Sequence, residues 1–380
     1  MILGISFLDF LKKSKEAKMQ SGKTRLKQFI EILNLRKGPG KLSGREYYDY
    51  RLFEKRFSSK QQKTFAGTWI RNDVWIFQDP QWCGVGSDKL LSYLVLDALG
   101  LPIAPVKAIY GAQRYYPNAE ILKSPEDLLT FLRNKENYPF FSKPSAGAFG
   151  RNTCYAKSYD ESSDSILTTN GKNIRVEDFS SIKLPNELGG FLFQEIIKPH
   201  PDLSNCIGER VATARIITMR TENGVRIHRA AFRIPVGNNI TDNFNLGSGG
   251  NGFSDIDIET GRLGKMHVGL GLSLRALTEH PDTKQSVEGF HLPHWEQVLA
   301  VIKQGQESLF GLPAIGWDIA FTETGPVIVE FNTNPGYALL QATGRGFLDE
   351  EFRKCFPADP AALRKRYPHI EIGIPSGRKR

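Results

Sequence analysis

The sequence predicts an α+β fold, with helices and antiparallel strands in separate stretches of the chain. Residues 1–37, 89–99 and 295–310 have the apolar spacing of amphipathic helices. Towards the C-terminus, apolar runs are joined by short turns, which is typical of antiparallel strand pairs. At 380 residues the chain exceeds one ordinary hydrophobic core, so we expect two or three packed subdomains.

The first 65 residues are predicted to be helical and basic. They contain 16 Lys/Arg against six Asp/Glu, while the remaining 315 residues are nearly neutral, with 34 against 35. This charge suits an anionic membrane surface or an acidic polymer, and a solvated helical surface is the alternative. No nucleic-acid-binding motif accompanies it. Residues 5–13 form an amphipathic segment that fits either anionic lipid or packing onto the rest of the fold.

The middle of the chain mixes predicted helices and strands. A helix is predicted to begin at Ser43, and Ser124 is the predicted N-cap of another. Residues 69–77 are rich in aromatic and β-branched residues and are predicted as a strand or a loop. The other predicted elements are a strand at 105–110, a helix at 125–133, strands at 138–144 and 191–197, a hairpin of 211–220 with 225–235, and a loop at 242–253.

The stretch at 316–336 carries the strongest functional signal. Asp318 lies on one apolar run, and Glu330 and Asn332 lie on a second run across a Thr-Gly-Pro turn. Because strand side chains alternate in direction, Glu330 and Asn332 point to the same side of the sheet. If Asp318 faces them, three oxygen donors converge, and Mg²⁺ prefers such a set together with phosphate oxygens. The motif therefore predicts a Mg²⁺–nucleotide site.

Residues 143–150, Lys-Pro-Ser-Ala-Gly-Ala-Phe-Gly, are the second signal. A Lys at a strand end followed by small residues lets backbone N–H groups and an ammonium approach phosphate oxygens. Taken alone, an ordinary turn with a solvated Lys fits as well. The segment is neither a Walker A loop nor a dinucleotide fingerprint, since it lacks the glycine spacing of both.

These motifs occur in an order that resembles the ATP-grasp superfamily, most legibly the D-alanine–D-alanine ligases. The stretches Glu46-Tyr-Tyr48, His200-Pro-x-Leu203 and Thr213-x-Arg-Ile216 are similar to the sugar-transfer-associated ATP-grasp family. The resemblance covers roughly residues 45–350 and implies two α+β subdomains that grip ATP. The implied regions are a basic helical N-terminal region (1–65), a pre-ATP-grasp region (66–110), a subdomain with the phosphate loop (111–198), a C-terminal subdomain with the metal site (199–356) and a basic tail (357–380).

The resemblance also implies roles for individual residues. Lys89 and Lys143 would contact the adenine side and the phosphates of ATP, and Asp202 would hold the ribose. The implied ligands of one or two Mg²⁺, with Mn²⁺ as an alternative, are Asp318, Glu330 and Asn332. The implied phosphate loop consists of Ser145, Gly147, Ala148 and Gly150, and the implied adenine hinge of Gln194, Glu195 and Ile197.

Members of the superfamily transfer the γ-phosphoryl group to a carboxylate, and a nucleophile then attacks the acyl phosphate. Arg215 and Arg233 are expected to bind the phosphoryl group and the substrate carboxylate, with a purely structural role as the alternative. D-alanine ligases carry an Arg two residues before the first metal carboxylate, where this chain has Gly316. This departure argues against D-alanine as the substrate. Asn243, Gly249 and Gly250 are expected either to line an acceptor pocket or to form a surface loop.

The weaker candidates are expected to be structural. His291 and His294 have helical ligand spacing but no third ligand nearby in the sequence. Cys154 and Cys206 have no paired His and are expected to be buried thiols. Four scattered cysteines fit a reducing compartment.

We therefore expect an ATP- and Mg²⁺-dependent carboxylate–amine, or carboxylate–thiol, ligase of polysaccharide or cell-surface glycan modification. Its partners would be a small-molecule or glycan carboxylate and an amine acceptor, and not nucleic acid. The alternatives are a kinase that phosphorylates a hydroxyl of an acidic small molecule and a non-catalytic nucleotide-dependent scaffold. Without a run of ~20 apolar residues, we expect a cytoplasmic protein, with peripheral contact at the inner membrane face as an option.

Overall fold

The computed structural model describes residues 4–111, 114–146, 152–183 and 189–357, with the backbone alone in 180–183. Gly147, Ala148 and Gly150 of the implied phosphate loop lie outside the described residues, as does nearly all of the predicted tail 357–380. The described helices are α1 (Phe7–Ser21), α2 (Arg25–Lys37), α3 (Gly44–Asp49), α4 (Ser59–Gln62), α5 (Ile70–Trp75), α6 (Pro80–Ser87), α7 (Lys89–Ala98), α8 (Pro125–Arg133), α9 (Val176–Lys183), α10 (Pro201–Ile207), α11 (Trp295–Ser308) and α12 (Glu350–Cys355).

Two seven-stranded sheets confirm the α+β class. The strands are β1 (Val106–Tyr110), β2 (Glu120–Leu122), β3 (Phe140–Pro144), β4 (Cys154–Asp160), β5 (Ser165–Thr168), β6 (Asn173–Arg175), β7 (Phe191–Gln194), β8 (Thr213–Thr221), β9 (Gly224–Ile234), β10 (Gly252–Asp255), β11 (Met266–Val268), β12 (Arg275–Leu277), β13 (Ala314–Thr322) and β14 (Gly325–Asn332). The first sheet has the strand order β2-β1-β7-β3-β4-β5-β6, and the second has the order β12-β11-β10-β9-β8-β13-β14. Neighbouring strands are antiparallel, except that β1 and β2 are parallel.

Local signals predicted many element boundaries well. The helix at 125–133 begins at Pro125, and the Ser124 side chain accepts a hydrogen bond from the backbone of Asp127, as its N-cap role requires. The predicted hairpin is β8 with β9, and the strand pair of 316–330 is β13 with β14. The predicted helices at 89–99 and 295–310 are α7 and α11.

The prediction for residues 69–77 was wrong, because this segment contains helix α5. The buried residues Ile70, Val74 and Phe77 lie at a spacing of four and three residues, which is helical. Burial of one helical side therefore outweighs the β-propensity of the aromatic and β-branched residues. The opposite side leaves Trp69, Trp75 and Ile76 exposed.

The second sheet is covered on both faces. Helix α11 packs on one face, where the absence of a side chain at Gly305 gives room to the Trp317 ring. The other face is covered over part of its area by apolar side chains of 66–77 and 337–356. The N-terminal and C-terminal parts of the chain therefore meet on one face of this sheet.

The buried side chain of Gln341 joins those two parts. Its Oε1 accepts hydrogen bonds from the backbone N–H groups of Ala66 (2.7 Å) and Phe347 (3.2 Å). Its Nε2 donates to the carbonyl oxygen of Ala66 at 2.9 Å. Within the described ranges, no helix combines the length and apolar character that a membrane span requires.

We predict that Gln341→Leu lowers the free energy of unfolding by about 2–4 kcal/mol, because it leaves buried backbone groups without partners. Urea unfolding followed by tryptophan fluorescence measures the change. The exposed Gln297 serves as the matched control, since Gln297→Leu removes a glutamine from the surface. Equal stabilities of the two variants would contradict the proposed joining role of Gln341.

Candidate active site

A row of polar side chains crosses one face of the second sheet. Glu330 pairs directly with Asp318, and Asp318 pairs with Arg215 on the next strand. Directly paired residues point to the same face, so these three side chains lie next to each other. The row continues through Ala231 to Asp255. Burial is the main cause that raises the pKa of the Asp255 carboxyl, although hydrogen bonding to Thr343 opposes it.

Asp318 is buried at the centre of the row between two arginines. The guanidinium of Arg215 donates to both carboxylate oxygens, from Nε to Oδ1 and from Nη2 to Oδ2 at 2.9 Å. Arg233 Nη2 lies 3.0 Å from Oδ2. Burial alone raises the pKa of Asp318, but the charges of Arg215 and then Arg233 outweigh it and hold the pKa below its ordinary value.

Arg233 is fixed by Thr213, the first residue of the Thr213-x-Arg-Ile216 motif, and by Asp242, to which the sequence assigned no role. Its Nη2 donates to Thr213 Oγ1 at 2.5 Å, and its Nε lies 3.3 Å from Asp242 Oδ2. The Thr213 hydroxyl in turn donates to Asp242 at 2.5 Å. Burial raises the pKa of the Asp242 carboxyl, while Arg233 opposes that rise. Sequence proximity gave no signal for this network, because Asp242 lies 29 residues from Thr213.

Two lysines lie beside the row at Glu330. Lys143 is buried on β3, and its Nζ donates to the Tyr93 hydroxyl (3.0 Å) and to the Val329 carbonyl (3.4 Å). Its ammonium also lies 4.5 Å from the centre of the Tyr93 ring. Burial lowers the pKa of Lys89, Glu330 raises it and Lys143 lowers it. The charges of Glu330 and Lys143 therefore both act on Lys89.

Ser145 joins these lysines to the start of the implied phosphate loop. Its carbonyl oxygen accepts a hydrogen bond from the backbone N–H of Lys89 at 2.8 Å. Its hydroxyl oxygen is buried and has no hydrogen-bond partner among the described residues. A buried hydroxyl without a partner is costly, and a phosphate oxygen would supply one.

A cavity of about 690 Å³ opens between the two sheets. Its lining includes Lys143 and Arg233, which lie next to members of the polar row, so the cavity adjoins the row. The lining also includes, from the first sheet and the segment after β7, Phe141, Gln194, Glu195, Ile196 and Ile197. The implied adenine hinge therefore faces the cavity. Asp202, by contrast, is largely exposed on α10 and does not belong to the described lining.

A second cavity of about 390 Å³ shares part of this lining. Asn243 and Gly249, which were expected either at an acceptor pocket or in a surface loop, line it. Its other described residues are mostly neutral and polar: Thr153, Asn170, Asn238, Asn239, Thr241, Asn245 and Asn251. This lining offers hydrogen-bond donors and acceptors without charge.

Arg71, from the N-terminal part of the chain, lies near Arg215 of the polar row. Its guanidinium donates to the side chain of Asn334 at 2.9 Å and to the Asn334 backbone carbonyl. Burial lowers the pKa of Arg71, Tyr337 raises it and the nearby charge of Arg215 lowers it. Arg71 carries no signal in the sequence, because its partner Asn334 lies 263 residues away along the chain.

The structure explains Gly316. A Cβ at this position would lie 2.6 Å from the Cβ of Pro335, closer than such atoms approach. Any larger residue, including the arginine of the D-alanine ligase pattern, is excluded unless Pro335 moves. The guanidinium groups in this neighbourhood come instead from Arg215, Arg233 and Arg71.

The donor set at Asp318, Glu330 and Asn332 fits Mg²⁺ with phosphate oxygens. Asn332 lies opposite Gly316, so its side chain is on the same face as the two carboxylates. Two carboxylates and one amide leave coordination positions for a nucleotide. Among the described residues, no cluster of three His, Cys, Asp or Glu could hold a metal ion by itself.

The remaining candidates have structural surroundings. Cys154 and Cys206 are buried, as are the other two thiols. The His294 ring hydrogen-bonds the Glu323 carbonyl, and His200 accepts from the backbone of Asp202. Cys154, Cys206, His200 and His294 therefore do not belong to the polar row.

A sequence model of the sugar-transfer associated ATP-grasp family matches residues 87–354. This match excludes Glu46-Tyr-Tyr48, which was part of the resemblance. No curated protein matches the chain.

Solved structures show distant likeness. An ADP complex of N5-carboxyaminoimidazole ribonucleotide synthetase is 12% identical, with a TM-score of 0.40 over 71% of this chain and 52% of that one. D-alanyl-alanine synthetase A from Vibrio cholerae is also 12% identical, with a TM-score of 0.41 over 71% and 62%. L-amino acid ligase from Bacillus licheniformis is 10% identical, with a TM-score of 0.35 over 72% and 48%. This chain spans about half to three fifths of their length, and such likeness decides nothing about activity.

We predict that Arg215→Ala raises the affinity of the nucleotide-free protein for Mg²⁺ by about tenfold or more, because Asp318 loses one of two competing cations. Isothermal titration with Mg²⁺ measures this affinity. The control is Arg275→Ala, which removes an exposed arginine of β12. Unchanged affinity in Arg215→Ala would show that the arginine does not compete for the carboxylate.

Proposed function

Because this chain belongs to the sugar-transfer-associated ATP-grasp family, we propose that it is an ATP- and Mg²⁺-dependent ligase that joins a carboxylate to an amine. The observation that carries the proposal is the row of Glu330, Asp318 and Arg215 beside a cavity of about 690 Å³. Acidic and cationic groups for phosphoryl transfer lie beside the cavity, and the implied adenine hinge lines it. A carboxylate–thiol ligase differs only in the nucleophile.

The chain's own residues supply most of what phosphoryl transfer needs. Lys143 and the Ser145 hydroxyl are suited to bind phosphate oxygens of ATP, and Arg215 and Arg233 to bind the transferred group and the acid. Asp318, Glu330 and Asn332 would hold the cation. When bound, Mg²⁺, or Mn²⁺ in its place, neutralises the charge of the phosphates. A substrate carboxylate oxygen attacks the γ-phosphorus, ADP leaves, and an amine then displaces phosphate from the acyl phosphate.

Asp255 is our candidate for the proton acceptor on the amine side. It ends the polar row, in which Ala231 is paired with Arg215 on one side and with Asp255 on the other. An amine must lose a proton as it attacks a carbonyl, and a carboxylate whose pKa is raised is a better base than an ordinary one. Arg71, held by Asn334, is suited to orient the acid substrate.

We further propose a glycan or another hydroxyl-rich substrate and a cytoplasmic site of reaction. The second cavity supports the substrate class, because its amide and hydroxyl groups can bind sugar hydroxyls without imposing charge. The description of the family as sugar-transfer associated points in the same direction. The proposed use of ATP supports the cytoplasm as the site of reaction.

Trapping with hydroxylamine tests the proposed ligase. The protein is incubated with ATP, Mg²⁺ and a panel of uronic acids and amino acids, and hydroxamate is detected with ferric ion. ATP-dependent hydroxamate supports the acyl phosphate. A stable phosphomonoester instead would overturn the ligase proposal in favour of the kinase.

We predict that Glu330→Gln lowers ATP-dependent hydroxamate formation in this assay by about 10²–10³-fold, as expected for the loss of one charged group that stabilises the transition state. Glu323→Gln is the matched control, because Glu323 is exposed at the turn between the same two strands. Equal activity of Glu330→Gln and the unaltered protein would favour the non-catalytic scaffold.

A further inference from the structure

The first two helices form a helical hairpin that carries exposed apolar side chains. The turn between α1 and α2 contains Gly22, whose positive φ of 72° ends α1. Phe10 and Phe29 contact each other across the hairpin, with ring centres 5.9 Å apart. Its five most exposed apolar residues are Leu8 (77%), Met19 (71%), Leu26 (69%), Phe7 (59%) and Ile30 (48%).

Packing within the fold accounts for the inner side of the hairpin only. Ile5, Ala17, Ile32 and Leu35 are buried in a cluster with the tyrosines of α3. The outer residues Phe7 and Leu8 belong to the same amphipathic segment as Ile5, yet they remain exposed. The two explanations of residues 5–13 therefore apply to different sides of the helix.

Cations lie between the exposed apolar residues of the helical hairpin. Residues 7–37 contain nine Lys/Arg and three Asp/Glu, a net charge of +6. Lys23 is buried and paired with Glu31, so it does not contribute to the outer surface. The exposed cations are Lys12, Lys15, Lys18, Arg25, Lys27, Arg36 and Lys37.

The spacing places apolar and basic residues on one outer stripe of each helix. On α1, Leu8 and Met19 flank Lys12 and Lys15 at spacings of four, three and four residues. On α2, the same spacing relates Leu26, Ile30, Leu33 and Lys37. Long lysine side chains can keep their charge at a polar boundary while neighbouring apolar side chains go deeper.

We propose that the outer side of the helical hairpin docks on the surface of a bilayer that contains anionic phospholipid. Apolar insertion and attraction of lysines to lipid headgroups act together at such a surface. A second copy of the chain is disfavoured, because two surfaces of charge +6 would repel each other. An acidic polymer or RNA would use the cations but leave Leu8, Met19 and Leu26 in water.

The helical hairpin contacts the turn at 271–273, which joins β11 to β12 of the second sheet. Docking would therefore attach the second sheet to the membrane through the hairpin. The docking surface lies outside the region of the family match and does not depend on the proposed ligase activity.

Flotation of the full chain with vesicles tests the proposal. Vesicles of phosphatidylcholine alone are compared with vesicles that contain 30 mol% phosphatidylglycerol, at low and high salt. We expect binding to the anionic vesicles only, with loss at high salt. The double variant Leu8→Glu/Leu26→Glu and the triple variant Lys12→Gln/Lys15→Gln/Lys18→Gln should each bind roughly tenfold or more weakly.

Matched variants separate this surface from general charge and hydrophobicity. Tyr115→Glu/Leu246→Glu changes two exposed apolar residues elsewhere, and Lys265→Gln/Lys284→Gln/Lys303→Gln removes three exposed lysines elsewhere. Both should bind vesicles as the unaltered chain does. All variants alter exposed side chains, so thermal unfolding temperatures should stay unchanged.

Several outcomes would overturn the proposal. These are no binding to anionic vesicles, equal binding to neutral ones, or equal weakening by the control variants. A dimer in light scattering that Leu8→Glu/Leu26→Glu dissociates would assign the surface to a second copy instead. Nucleotide binding, measured in parallel, reports on the active site, so its loss or retention leaves the docking result unaffected.

Discussion

The carboxylate of Asp318, buried between Arg215 and Arg233, is the interaction around which the site is arranged. A buried carboxylate is stable only with partners, and removal of either arginine would leave uncompensated charge. Five cations, Lys89, Lys143, Arg71, Arg215 and Arg233, lie in this region with four carboxylates, Asp242, Asp255, Asp318 and Glu330. Several closely spaced cations favour a ligand with several negative charges, and a nucleoside triphosphate has this property.

Apolar segments of the chain cover part of the face of the second sheet that carries the polar row. The apolar segments 66–77 and 337–356 cover the part of that face around Ile217 and Phe253. Gln341 joins the two segments, so the cover is one unit rather than two loops. Because the cover excludes water from one side of the row, charges there interact more strongly than at an open surface.

Signals that are local in sequence predicted the fold and part of the site. Alternation along β14 was enough to put Glu330 and Asn332 on one face, and the short turn made Asp318 their neighbour. The contacts of Asp242 with Thr213, and of Arg71 with Asn334, join residues far apart in sequence, for which the chain carries no local mark. The helix at 70–75 was missed for a related reason, since its burial depends on a distant sheet.

Gly316 shows how a change at one position is compensated by the surrounding structure. Pro335 occupies the space into which a side chain at 316 would project. Thr333, two residues before Pro335 in the same loop, is also buried. The loop therefore lies close against β13, which brings Asn334 within reach of Arg71. Arg71, which lies outside the region of the family match, thus lies close to Gly316, a position that itself carries no arginine. Phosphoryl transfer depends on where a positive charge lies relative to the substrate, and not on which element of the fold carries that charge.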